Sequence, residues 1–150
     1  MVADLSRAEE AAQEFDEGVG LTVDVADEAQ VERMAQEVVD RCGSIDILVN
    51  NAGLYASLQM RPFTEIPVNE WRQVMEVNVL SMFLTTRAVV PRMREQGGGR
   101  IVNISSGTPF RGVPFLLHYV TSKGAIVAFT RALAKELGKD GIHVLSLIHI

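Results

Sequence analysis

Tyr119 and Lys123 lie four residues apart in the segment HYVTSKGA, where the apolar spacing predicts a helix. Residues i and i+4 share one helix face, so a phenol and an ammonium would be neighbours. A free phenol has a pKa near ~10 and is a poor base at neutral pH, but a cation within about 4–6 Å favours the phenolate. The pair could therefore exchange protons with a bound molecule. The spacing alone is equally consistent with an ordinary pair of surface side chains on an amphipathic helix.

Small and hydrogen-bonding residues follow three apolar segments of the chain. They are Asp24 after LTV, Asn50 to Gly53 after ILV, and Ser105 to Gly107 after RIVNI. In open parallel sheets, ligands bind beyond the carboxyl ends of the strands. Such residues also begin ordinary turns, but three consecutive occurrences favour a binding site at one edge of the sheet.

Asn78 lies on the apolar stripe of a predicted helix. The other members of that stripe are Trp71, Val74, Met75 and Met82. An amide in such a position must find hydrogen-bond partners or cost about 1–3 kcal/mol. Taken alone, Asn78 is best interpreted as a structural residue whose hydrogen bonds are satisfied.

Strand and helix patterns alternate along the chain. Strands are predicted over residues 20–25, 45–50, 100–105 and 141–150, and helices over 28–43, 69–95 and 118–138. The strands are continuous apolar runs, which indicates burial on both faces, as in a parallel sheet. The alternation predicts a doubly wound α/β fold with three αβα layers. The length predicts a single domain over residues 1–150.

Composition narrows the function classes. The net charge of −5 and the pI near 5.2 argue against nucleic acid or an anionic membrane as a partner. The single cysteine, Cys42, cannot form an internal disulfide, which suits a reducing cytoplasm. The amino terminus lacks the pattern of a signal peptide, and no apolar run approaches the roughly 20 residues of a membrane span. We therefore expect a cytoplasmic protein.

Four motifs occur in order along the chain: NNAG after a strand, VNVL in the next helix, RIVNISSG, and YVTSK. Together they resemble the short-chain dehydrogenase/reductase family through about Val144. The resemblance implies a Rossmann-like NAD(P)-binding domain. It also implies hydride transfer between a nicotinamide cofactor and an alcohol or carbonyl substrate.

The resemblance assigns four catalytic positions. Tyr119 resembles the acid/base, and Lys123 resembles the partner that lowers its pKa and holds the nicotinamide ribose. Ser106, thirteen residues before Tyr119, takes the position of the catalytic serine in preference to Ser105. Asn78 resembles the asparagine that anchors a proton-relay water.

The same resemblance assigns the cofactor contacts. Asn51, Ala52 and Gly53 resemble the turn that lines the cofactor, together with Tyr119 and Lys123. Asp24 and Val25 resemble the pair that contacts adenine. Asp4 resembles the acid that binds the adenosine ribose hydroxyls, which implies NAD rather than NADP.

The sequence departs from the family at both ends. The first strand and its glycine-rich phosphate loop should precede Val2, and the glycines at 18–20 and 97–99 precede strands instead of following them. The end, LSLIHI, does not match the family's usual continuation. We therefore expect a fragment that lacks the phosphate loop and the carboxyl-terminal substrate segment. The histidines show no metal-ligand spacing, so no metal is expected, and His118 is expected to face solvent at the start of its helix.

Other interpretations remain open. The chain could be an NADPH-dependent 3-oxoacyl carrier-protein reductase, although Asp4 counts against that, or a non-catalytic dinucleotide-binding protein. It could also be an interaction module, because the two long helices could pair between subunits of a dimer or tetramer. The expected partners are a small alcohol or carbonyl compound and further copies of the chain, without nucleic acid or membrane.

Overall fold

The computed structural model describes residues 1–149, and Ile150, the end of the last predicted strand, lies outside them. The strands are β1 (Val2–Asp4), β2 (Gly20–Thr22), β3 (Ile47–Asn50), β4 (Gly99–Ser106) and β5 (Ile142–His149). The α-helices are α1 (Ala8–Ala12), α2 (Glu28–Cys42), α3 (Val68–Met75), α4 (Ser81–Glu95), α5 (Thr108–Arg111) and α6 (Leu117–Leu137). Short 3-10 segments cover Phe63–Glu65 and Gly138–Asp140, and a π-helical segment covers Glu76–Leu80.

All paired strands are parallel, and helices connect them, which confirms the predicted doubly wound α/β fold. The strands form two sheets, one of β1 and β2 and the other in the order β3-β4-β5. Within residues 1–149, β1 and β3 are not paired with each other. Each therefore leaves one edge of backbone donors and acceptors open.

The expectation that every strand is buried on both faces is wrong for the second sheet. Ile47 and Val49 of β3 are 60% and 54% exposed, and Leu145 and Leu147 of β5 are 56% and 57% exposed. The opposite face of this sheet points inward, and there Ile101 of β4 and Val144 of β5 are buried. The reason is that α2, α4 and α6 all contribute to the core cluster on that inward side.

Helix α2 begins and ends where the sequence predicts. The Asp27 carboxylate accepts a hydrogen bond of 3.0 Å from the Gln30 main-chain N–H, and so caps the first turn. Gly43 follows the helix with a left-handed φ of 82°, which glycine adopts without steric cost. Val23 and Val31 then pack against Leu84, which joins β2 and α2 to α4.

The helix predicted over residues 69–95 is interrupted. A π-helical turn at Glu76–Leu80 separates α3 from α4, and Asn78 lies in its middle. Single π turns inside helices often occur at functional sites.

The helical stretch Val68–Glu95 is long and apolar enough to cross a membrane by length and composition alone. This finding corrects the expectation that no apolar segment approaches the length of a membrane span. Half of its most apolar 18-residue part is buried inside the structure, and a helix of a protein core can be equally long and apolar.

Candidate functional site

The carboxyl ends of β3 and β4 carry a buried polar ladder. Asn50 pairs in register with Asn103, and its amide donates a hydrogen bond of 2.9 Å to the Asn103 side chain. Thr85 of α4 donates to Asn50 at 2.7 Å, and Asn103 donates to Thr130 of α6 at 3.0 Å. The ladder fixes both strand ends against the two long helices.

Asn78 is 1% exposed and makes three hydrogen bonds. Its Oδ1 accepts from the Leu54 main-chain N–H at 2.6 Å, and its Nδ2 donates to the Leu54 carbonyl at 3.2 Å and to the Ser122 hydroxyl at 3.0 Å. The amide on the apolar stripe is therefore satisfied by protein groups. These bonds join the π segment to the segment after β3 and to α6.

Lys123 is 6% exposed, and its ammonium donates a hydrogen bond of 2.8 Å to the Ile104 carbonyl at the end of β4. The same nitrogen lies 5.8 Å from the centroid of the Tyr119 ring. The two side chains therefore share a face of α6, as the spacing predicts. Burial lowers the pKa of the Lys123 ammonium, because a low-dielectric surrounding disfavours the charged form.

The pKa of Tyr119 moves opposite to the expectation from its spacing with Lys123. Burial is the largest influence and raises the pKa of the phenol. The hydrogen bond with the Ser106 hydroxyl lowers this pKa, and the neighbouring Tyr55 raises it further. Lys123 is bonded to the Ile104 carbonyl and lies at a distance from the ring, so in this structure desolvation exceeds its influence. The phenol is therefore protonated at neutral pH.

The two serines at the end of β4 have different environments. Ser105 is buried and donates a hydrogen bond of 2.9 Å to the Lys123 carbonyl, which makes it a link between β4 and α6. Ser106 is half-buried, lies beside Tyr119, and accepts a hydrogen bond of 3.2 Å from the Thr108 N–H. Of the two hydroxyls, that of Ser106 is the one next to the phenol.

The segment Asn51, Ala52 and Gly53 follows β3 with its residues exposed. A Cβ added at Gly53 would lie 3.4 Å from Asn78 Oδ1 and 3.7 Å from Lys123 Nζ. A larger side chain would therefore occupy the space beside the ammonium. The glycine keeps an open cradle between the segment and Lys123.

Asp4, Asp24 and Val25 lie at the carboxyl ends of β1 and β2, in the other sheet. The Asp4 carboxylate accepts hydrogen bonds of 2.9 Å from the N–H groups of Ser6 and Arg7, and these bonds lower its pKa. Asp24 accepts a hydrogen bond of 2.9 Å from the Ala26 N–H. Among the hydrogen bonds of the described residues, none joins these three residues to Tyr119 or Lys123 directly.

The sequence analysis missed two residues in contact with Tyr119. The Tyr55 ring lies 4.8 Å from the Tyr119 ring between centroids, at an angle of 42°. Ser122 is buried and donates a hydrogen bond of 2.7 Å to the Tyr119 carbonyl. Ser122 had a detectable signal, since it lies three residues from Tyr119 on the same helix face. Tyr55 had none, because the path of a loop does not follow from residue spacing.

His118 was expected to face solvent, and that expectation is wrong. The side chain has no exposed surface, and its Nε2 lies 3.0 Å from a carboxylate oxygen of Glu70 in α3. The start of α6 packs against α3, which covers this position. Local spacing in α6 does not reveal such a distant partner.

Comparison with known proteins identifies the family. Residues 2–148 match the short chain dehydrogenase family, and the chain belongs to it. The chain resembles the 3-ketoacyl-(acyl-carrier-protein) reductase from Brucella melitensis in a crystal structure complexed with NADH. That similarity has a TM-score of 0.92 at 31% identity and covers 97% of this chain and 62% of that one.

Curated relatives cover a range of substrates. The 2-(R)-hydroxypropyl-CoM dehydrogenase of Xanthobacter autotrophicus is 39% identical over 127 residues, which are 85% of this chain and 51% of that protein. A 3-oxoacyl-[acyl-carrier-protein] reductase of Haemophilus influenzae is 36% identical over 130 residues, with 86% and 52% covered. The chain thus spans about half the length of the curated relatives it matches.

Proposed function

We propose that Tyr119, Lys123, Ser106 and Asn78 are the proton-transfer part of an enzyme. That enzyme would move hydride between NAD(H) and an alcohol or carbonyl compound. The observation that carries the proposal is the meeting of Tyr119, Lys123, Ser106 and Asn78. Tyr119 and Lys123 lie on one face of α6, Ser106 lies beside Tyr119 at the end of β4, and Asn78 in the π segment is bonded to α6 through Ser122. A non-catalytic protein has no need for this combination.

The residues present fit a nicotinamide cofactor. The cradle at Gly53 lies beside the Lys123 ammonium, a donor suited to ribose hydroxyls. Lys123 would hold the nicotinamide ribose there, with the exposed main chain of residues 51–53 lining the bound group. The cofactor, when bound, supplies or accepts the hydride.

Tyr119 and Ser106 act on the substrate oxygen. The Tyr119 phenol is protonated at neutral pH because burial raises its pKa, and that form donates a proton to a carbonyl oxygen. The Ser106 hydroxyl beside it donates a hydrogen bond to the same oxygen and orients it. Asn78 holds Leu54 and Ser122 in place, and a water bound near this amide would extend the proton path to solvent.

NAD is the cofactor we propose, on the strength of Asp4. The Asp4 carboxylate is exposed, and its lowered pKa keeps it charged at neutral pH. It can therefore accept hydrogen bonds from both ribose hydroxyls, and it would repel a 2′-phosphate. Arg7, the nearby cation that could attract that phosphate, is bonded to Glu10 at 2.8 Å. The Arg7 guanidinium is therefore already engaged by a second carboxylate.

Reduction of a 3-oxoacyl group on a carrier protein is the second candidate. Relatives with that name support it. The sequence argument against it was that Asp4 disfavours NADPH, but the Brucella melitensis reductase was crystallised with NADH. The choice of cofactor therefore separates the two candidates poorly, and substrate assays must decide.

We also propose assembly through α4 and α6. Leu80 and Phe83 are 42% and 46% exposed, and with Phe129 they border an apolar hollow between the helices. A second copy of the chain would cover this surface. Light scattering of a Phe83→Glu variant should show a smaller particle than the parent protein, whereas an unchanged mass would refute the proposal.

The substrate assay that tests the proposed function requires the phosphate-binding and substrate-binding segments as well as residues 1–150. We define the completed enzyme as residues 1–150 together with whatever flanking segments their own gene encodes. Its NADH oxidation is followed with small ketones, free 3-oxoacids and acetoacetyl carrier protein as hydride acceptors. Turnover of a small carbonyl supports the first candidate, and turnover of the acyl carrier substrate alone supports the second. NADH binding without turnover of any substrate would favour a non-catalytic protein.

A further inference from the structure

His118 is a buried titratable group that the proposed reaction does not use. Its Nε2 lies 3.0 Å from Glu70 Oε1. An ionised carboxylate only accepts hydrogen bonds, so Nε2 carries the hydrogen and donates it. The other ring nitrogen, Nδ1, is also buried and has no partner among the described residues. The bond to Glu70 is therefore the contact that holds the ring.

Glu70 connects His118 to a third segment. Its second oxygen lies 3.4 Å from Arg61 Nη2, and the Arg61 main-chain N–H donates a hydrogen bond of 2.9 Å to the Phe115 carbonyl. Phe115 lies three residues before His118 and has a left-handed φ of 65°. The contacts therefore close a ring that joins the segment before α3, the first turn of α3 and the start of α6.

The same segments meet at the catalytic tyrosine. Tyr119 follows His118 directly, and its ring packs against Tyr55, which belongs to the segment that also contains Arg61. We propose that Glu70 and His118 are positioning residues that fix the first turn of α6, and with it the Tyr119 phenol, opposite Ser106. This inference rests on the proposed function.

The expected effect follows from geometry. Without the bond, the Glu70 carboxylate in α3 and the start of α6 lose their fixed relation, and the first turn of α6 can shift. A displacement of about 1 Å at reacting groups costs about 10²-fold in rate. Of the proposed cofactor contacts, Lys123 lies one turn further along α6 and Gly53 lies in the segment after β3. We therefore expect the loss in kcat and not in the KM for NADH.

The experiment compares five variants of the completed enzyme. His118→Leu removes the donor, His118→Gln restores an N–H near the Nε2 position, Glu70→Gln keeps the acceptor but removes its charge, and Glu70→Ala removes the acceptor itself. Asp140→Asn is the matched control, because Asp140 bonds Arg94 across two elements at 2.7 Å and its side chain is 21% exposed against 22% for Glu70. Each variant is measured for kcat, KM for NADH and melting temperature.

We expect His118→Leu to lower kcat by about 10²-fold with an unchanged KM for NADH, His118→Gln to recover most of that loss, and the control to keep the parent kcat. A parent-like kcat in His118→Leu, or equal losses in the Leu and Gln variants, would overturn the inference. Should His118→Leu fail to fold, Glu70→Ala decides, because it removes the acceptor itself, and an unchanged kcat in that variant also overturns the inference. If the parent enzyme turns over no carbonyl compound, the proposed function itself is refuted. If the parent is active and the His118 and Glu70 variants keep its kcat, only the positioning role is refuted.

Discussion

Asn78 donates a hydrogen bond of 3.0 Å to the Ser122 hydroxyl, and both side chains are buried. Ser122 in turn donates to the carbonyl of Tyr119. Because Asn78 lies in the π turn and Ser122 in α6, this chain of bonds holds the two elements of the site together. The interruption in the long helix and the placement of the phenol are thus parts of one arrangement.

Replacement of Ser122 by alanine should therefore destabilise the protein. The Asn78 Nδ2 would keep its bond to the Leu54 carbonyl but would lose its second acceptor. A buried N–H left without a partner costs about 1–3 kcal/mol. Urea unfolding of the completed enzyme measures the change. Ser57→Ala, at an exposed position, is the control. Equal unfolding free energies in the two variants would show that the bond contributes little.

The three long helical stretches and strands β2 to β5 were predictable because their signals are local, whereas the short β1, α1 and α5 were not assigned. Asp27 and Gly43 mark the ends of α2, and the apolar runs mark β3 and β4. The π turn was not predictable, since a single inserted residue changes the hydrogen-bonding pattern without changing the apolar stripe. The burial of β3 was overestimated because a sequence pattern does not show which face the helices cover.

The sequence motifs assigned residues to the proposed site but did not give the electrostatics around them. Motif order indicated Tyr119, Lys123, Ser106 and Asn78, and in the structure Tyr119 lies near Lys123 and Ser106 while Asn78 is linked to α6 through Ser122. The spacing of Tyr119 and Lys123 gave the wrong direction for the phenol pKa, because spacing contains no information about desolvation. The Glu70–His118 bond spans 48 residues of sequence, so no local pattern could reveal it.

The raised pKa of Tyr119 predicts a pH effect on stability. Burial raises the pKa of the folded phenol above its ordinary 10.0, so the folded state holds the proton more tightly than the unfolded state. Its stabilising contribution is complete below pH 10.0 and is lost as the pH rises through the folded pKa.

Urea unfolding of the completed enzyme from pH 8 to about 11 checks this effect. The parent protein should lose stability relative to Tyr119→Phe as the pH passes about 10. The lowered pKa of Lys123 acts in the opposite direction but is common to both proteins. Parallel stability curves would contradict the assignment of the shift to Tyr119.

Replacement of Asp4 by alanine should weaken the preference for NAD. Without the carboxylate, the ribose hydroxyls lose their acceptor and a 2′-phosphate loses its repulsion. We expect the ratio of kcat/KM for NAD to that for NADP to fall by about tenfold or more, equivalent to about 1.4 kcal/mol. Glu9→Ala, which removes a nearby exposed carboxylate, is the control. A parent protein that prefers NADP would show that the interpretation of Asp4 is wrong.

Residues 1–150 expressed alone should bind NADH weakly. The open edges of β1 and β3 and the exposed Ile47 and Val49 favour association between chains. We expect poor solubility or a broad thermal transition, and no NADH affinity tighter than about millimolar. Calorimetric titration together with thermal melting measures both. A sharp transition with micromolar affinity would show that these residues form a self-sufficient unit.

The central claim, that Tyr119 exchanges the proton during hydride transfer, is tested most directly by the kcat of Tyr119→Phe in the completed enzyme. Phenylalanine keeps the ring and its packing against Tyr55 but removes the hydroxyl. General acid–base help contributes about 10²–10⁴-fold, so kcat should fall by that factor while the affinity for NADH, measured by fluorescence, stays unchanged. Turnover by the variant at close to the parent rate would contradict the account.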